Sequence, residues 1–174
     1  HSHASDVILS RSKFMPIIIN NHQIIDDEWV DLTIAGNSQR PEHDLKVIVD
    51  LDRLRNEFDQ LKTKSHSLAV RLIETDSVDD ILPFLNHLQM VILQFKVFAD
   101  GRAFSQSTLL RDRHGYKGHI RAVGDVIRDQ LSFMRRCGFS QFQLAESEDV
   151  NQAIHAFSDI SNSYQPELVE ATNQ

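Results

Sequence analysis

The sequence predicts an α/β fold built on a mostly parallel sheet of about five strands in successive βα units, preceded by an N-terminal β-hairpin. Three observations carry this expectation. Short β-branched or apolar runs alternate with amphipathic segments five times after the polar stretch Ala35 to Asp44. Glycines punctuate the units at Gly101, Gly115, Gly124 and Gly138, where turns and helix stops belong. The length of 174 residues with 41% hydrophobic composition suits one core rather than two.

The elements follow in order. Residues 1–14 lack periodicity and read as disordered or extraneous, with His1-Ser2-His3 resembling a tag remnant. The domain is expected over 15–164, with 165–174 as a polar tail. Ile17–Ile19 and Gln23–Ile25 flank Asn20-Asn21-His22, whose asparagines tolerate a tight turn, so the pair reads as the hairpin. A strand over Val47 to Leu51 runs into a helix whose Leu51, Leu54, Phe58 and Leu61 fall on one stripe, capped by Asp50 or Asp52. The second strand, Leu68 to Ile73, leads to Ser77-Val78-Asp79-Asp80, a capped helix start that Pro83 should shorten or kink. The third, Met90 to Phe95, feeds the Asp100-Gly101 turn and a helix from about Ser105 to His114. The fourth, His119 to Val123, feeds a helix over Val126 to Cys137, with Val126, Ile127, Leu131, Phe133, Met134 and Cys137 on the apolar arc. The fifth, Phe139 to Ala145, precedes a last helix carrying Val150, Ala153, Ile154 and Phe157. An open flavodoxin-like sheet and a partial (βα) barrel both satisfy this pattern, and in either, ligands gather at the carboxyl ends of the strands.

Composition excludes several classes. The longest apolar runs, such as Met90 to Leu93, fall far short of the roughly 18 to 20 residues that span a bilayer. The single Cys137 rules out an intrachain disulfide, a CxxC pair and a four-cysteine cluster, and suits a cytoplasmic setting. A net charge of −7 argues against nucleic acid and anionic membranes as partners. Yet Arg102 to Arg136 carries +5 while the remainder carries −12, so this basic third is expected to meet an anion or an acidic protein.

Candidate chemistry concentrates at the strand ends. Arg102 offers a planar fork for an oxyanion and Ser105 a hydroxyl that either caps its helix or touches the ligand. Arg128 sits beside the next helix start, whose free N–H groups suit an anion. Asp100 and Asp125 are the candidate acid and base, or ligate a cation, or else simply orient the neighbouring arginines. Arg135 and Arg121 are candidates for a partner surface. Cys137, on the apolar arc, reads as a core thiol rather than a nucleophile. His114 and His119 lack an HExxH context, so no metal site is expected, and the absence of GxGxxG and GxxxxGK[ST] leaves no standard nucleotide site. Gly115 to Gly118 has the GxxG form of an RNA-binding loop but joins a helix to a strand, so it reads as a turn.

The stretch Phe98-Ala99-Asp100-Gly101-Arg102-Ala103-Phe104-Ser105, with Leu109-Leu110-Arg111, Gly115-Tyr116, Arg121 to Val126, Asp129-Gln130-Leu131 and Arg136-Cys137-Gly138-Phe139, resembles a bacterial domain-of-unknown-function family. Members of that family carry the label of a probable oxidoreductase of sulfite reduction. The resemblance covers about residues 15 to 164 and is densest over Asp100 to Phe139. It implies a role beside the sulfite reductase of cysteine biosynthesis, with sirohaem and the iron-sulfur cluster on that partner and no cofactor on this chain. It carries over no catalytic residue; Asp100, Arg102, Arg121, Asp125, Asp129 and Gln130 are motif positions only. The expected function is therefore an accessory protein or oxidoreductase of sulfite reduction that binds an oxyanion or the reductase through its basic third. The alternatives are an independent enzyme on a small sulfur or phosphate compound and a non-catalytic interaction module.

Overall fold

The computed structural model describes residues 17–19, 23–25, 27–34, 45–95, 101–124, 126 and 128–144. Its strands are β1 (Ile17–Ile19), β2 (Gln23–Ile25), β3 (Val30–Asp31), β4 (Lys46–Asp50), β5 (Ser67–Leu72), β6 (Met90–Phe95), β7 (His119–Gly124) and β8 (Gln141–Gln143). They form one sheet in the order β2-β1-β8-β7-β6-β5-β4-β3. The six strands β3 to β8 run parallel, each beside its predecessor, while β1 lies antiparallel to both β2 and β8. The hairpin and the parallel sheet of the sequence reading are both present. The two-residue β3 was not foreseen, because two residues carry no periodicity.

Consecutive parallel neighbours joined by crossovers of one hand place the described helices on one face. That face holds the main core: Val47, Val49, Leu68, Val70, Leu72, Val91, Leu93, Ile120, Ala122 and Phe142 from the strands meet Leu51, Leu54, Leu61, Ile81, Leu110, Leu131 and Met134 from the helices. The opposite face carries a smaller apolar cluster of Ile48, Ala69, Met90, Ile92 and Val123, covered by Trp29.

Chain length requires the sheet to curl. Strands β2 and β3 sit at opposite edges of the order, yet only residues 26–29 lie between them. Five residue steps reach at most about 18 Å, whereas seven strand spacings of a flat sheet span about 34 Å. The sheet therefore closes on itself as an open half-barrel, and the segment carrying Asp27 and Trp29 runs as a strap along the chord.

The helices keep most expected features. In α1 (Leu51–Lys64), Leu51, Leu54 and Leu61 are buried, and Asp50 caps the start by accepting from Arg53 N at 2.8 Å. Ser77 caps the next segment, which is a 3-10 helix over Val78–His87 containing Pro83. Helix α2 (Gly101–Thr108) continues as a π-helical turn over Leu109–Arg113, so it begins four residues before Ser105. The fourth helix departs more. A 3-10 turn (Arg128–Gln130) precedes α3 (Leu131–Arg136), which sets the phase from Leu131 and turns Leu131 and Met134 inward. Phe133, expected on the apolar arc, is consequently 44% exposed, with its ring against Phe104 and beneath the Arg136 guanidinium. Among the described residues no helix is long and apolar enough to cross a membrane. The expected loop over 35–44 and the last helix lie outside the described residues.

Candidate functional site

Side chains alternate along a strand, so a polar residue between two core residues must enter the inner face of the half-barrel. This places Arg71, between Val70 and Leu72, and Arg121, between Ile120 and Ala122, inside the curl. Strand register sets them in one row, Arg71 opposite Ile92, Ile92 opposite Arg121 and Arg121 opposite Gln141. Two arginines thus flank Ile92 across the middle of the sheet, Arg71 in the carboxyl half of β5 and Arg121 in the amino half of β7, short of the strand ends where the sequence reading expected ligands to gather.

Arg71 is fully engaged. Its Nε donates to Thr33 Oγ1 at 3.2 Å, its Nη1 to Gln94 Oε1 at 3.3 Å and its Nη2 to Asp31 Oδ2. Asp31 also accepts from the Thr33 backbone N–H at 2.9 Å and from its hydroxyl, so the carboxylate is held from both oxygens. Arg121 is engaged on two sides only. Its Nε donates to Gln141 Oε1 at 2.9 Å and its Nη1 to Asp27 Oδ2 at 3.2 Å. Among the described residues its Nη2 has no hydrogen-bond partner, although the side chain is only 1% exposed. The strap supplies Asp27, whose other oxygen accepts from Trp29 N at 3.1 Å.

Leaving a buried cationic donor unpaired costs about 1–3 kcal/mol or more, so this guanidinium edge is held open against a penalty. Burial lowers the Arg121 pKa; Asp27 opposes that shift, Arg71 adds to it, and Asp31 opposes it. Arginine nonetheless stays protonated at neutral pH. Two guanidiniums facing two carboxylates leave this cluster formally neutral, with one buried N–H edge lacking an acceptor among the described residues. Asp27 is 23% exposed and Arg71 18%, so these two are the members of the cluster nearest solvent.

The residues proposed from sequence are distributed differently. Arg121, expected on a partner surface, is buried instead, because a mid-strand position between Ile120 and Ala122 faces the barrel interior. Arg102 is exposed and donates from Nη2 to the Asp76 carbonyl at 2.8 Å. Ser105 is exposed in the second turn of α2, beyond the first-turn N–H groups that a cap would satisfy. Arg135 is half-buried on α3. The α-helix after Gly124 begins at Leu131, behind the 3-10 turn, and residues 125 and 127 of the expected helix start lie outside the described residues. Asp100, Asp125 and the Arg128 side chain lie outside the described residues. Cys137 packs half-buried against the main core, and burial raises its thiol pKa. Among the described residues no group of three or more His, Cys, Asp or Glu side chains could hold a metal ion.

Sequence reasoning missed Arg71, Asp27, Asp31, Thr33, Gln94 and Gln141. The available signal was the pair of arginines inside parallel strands, where near-continuous apolar runs are the rule.

Another arginine of the basic third serves the amino ends of the strands. Arg111 donates to the carbonyls of Gly138, Tyr116 and Gly118 at 2.9, 2.8 and 2.7 Å, clasping two turns. Tyr116 completes the clasp through its hydroxyl, which donates to the Leu88 carbonyl at 2.8 Å. The basic third is therefore partly structural.

Comparison with the curated proteins returns no match. The family described as "Bacterial protein of unknown function (DUF934)" matches residues 69–173, a span that includes both inner-face arginines and more than half of the chain. The chain belongs to that family.

Proposed function

We propose that this protein binds a small oxyanion on the inner face of its half-barrel and acts as an accessory protein of sulfite reduction. The observation that carries the binding half is the unpaired Nη2 edge of Arg121, a buried cationic donor beside a second arginine. A planar guanidinium edge suits the oxygens of sulfur and phosphorus oxyanions better than a point charge does. The sulfite half rests on the resemblance over Asp100 to Phe139. Such a protein would deliver or retain an anion while the redox groups remain on the reductase.

The test joins both halves. Steady-state sulfite reduction by the matching purified reductase is measured with and without this protein, at equal concentration and fixed ionic strength, using wild type and Arg121→Lys. A higher kcat/KM with wild type, lost with Arg121→Lys, is the expected result. Identical rates in all three cases, with no complex detectable, would overturn the accessory role.

A further inference from the structure

We propose that the inner-face site prefers a singly charged oxyanion over a doubly charged one of the same shape, and that Asp27 sets this preference. The inference rests on the anion-binding reading above and adds the charge class of the ligand.

Both aspartates sit on guanidiniums, Asp27 on Arg121 and Asp31 on Arg71, so the cluster has donors to offer but no net positive charge. The open donor, Arg121 Nη2, belongs to the same guanidinium whose Nη1 already holds Asp27. Any oxygen accepted at Nη2 therefore lies close to the Asp27 carboxylate, and each further negative charge on the ligand meets that carboxylate at short range. In a poorly solvated site this repulsion is weakly screened. Asp27 cannot easily turn away, because Trp29 N holds its other oxygen and Trp29 itself is packed on the inner-face apolar cluster. Asp31 is bound to the other arginine and exerts the smaller effect. The neighbouring wall of Ile92 and Val123 is apolar, which also suits a ligand with one charged end and one uncharged end.

Methanesulfonate and methylphosphonate test the point, since they share three oxygens and a methyl group. At alkaline pH they differ by one charge. Binding is followed by calorimetry and by the emission of Trp29, the single tryptophan, at one pH and constant ionic strength. The expected result is about tenfold or greater preference of wild type for methanesulfonate. Asp27→Asn keeps an oxygen for Arg121 and removes the charge; it should erase or invert the preference, while Asp31→Asn should change it less. Tighter binding of methylphosphonate by wild type would overturn the inference and leave anion binding intact. An unaltered preference in Asp27→Asn would remove Asp27 from the role. Failure of wild type to bind either anion would overturn the anion-binding reading along with it. The wild-type comparison decides the preference even if a variant fails to fold.

Discussion

Arg121 and Asp27 show how one side chain can be both structural and available. Two of the guanidinium nitrogens tie β7 to β8 and to the strap, and the third is left over. His119, two residues earlier on the same face, bonds Ser140 Oγ at 2.9 Å; burial first, then Arg111 and Arg121, lower its pKa. A histidine with a depressed folded-state pKa binds fewer protons than in the unfolded chain. Its contribution to stability is therefore present at neutral pH and lost as pH falls below the unfolded value of about 6.5. Thermal unfolding of wild type should thus weaken with acidification more steeply than that of His119→Gln, and parallel pH profiles would remove the effect. For Cys137 the raised pKa means little thiolate at neutral pH. Its alkylation by iodoacetamide, followed by mass spectrometry, should be slower than that of a free cysteine peptide, and equal rates would contradict its burial.

At the scale of elements, the turn after β7 depends on Gly124. Its φ is +94, and a Cβ there would lie 2.2 Å from the Phe95 carbonyl oxygen on the neighbouring strand. Gly124→Ala combines an unfavourable backbone conformation with a backbone clash, and should cost about 1–3 kcal/mol in urea unfolding. A cost near zero would mean that the turn can rearrange. Asp50→Ala, which removes the α1 cap, should cost about 1 kcal/mol. Both elements were legible in the sequence, Gly124 as a turn and Asp50 as one of two candidate caps with Asp52, because local chemistry dictates them. The stripe Leu51, Leu54, Phe58 and Leu61 was legible for the same reason. The α3 region was not: a 3-10 first turn shifts the helix phase, and the periodicity of Val126 to Cys137 cannot reveal where the α-helix begins.

At the scale of the molecule, curling brings the strap across the inner face and creates the site. The βα alternation announced a parallel sheet, but strand order and curvature depend on contacts between β1 and β8 that are distant in sequence. The partner of Arg121 is likewise ninety-four positions away, in the strap. Distant pairings of this kind leave no periodic trace, which is why the basic third looked like a surface and Arg121 was assigned to it. The central claim is that the Arg121 edge receives an oxyanion. Side-chain NMR of guanidinium-labelled protein during titration with methanesulfonate observes it most directly. The Arg121 signals should shift saturably, ahead of those of exposed Arg102, and the response should vanish in Arg121→Lys. Arg121 signals that stay fixed while the exposed arginines drift together with rising salt would contradict the claim.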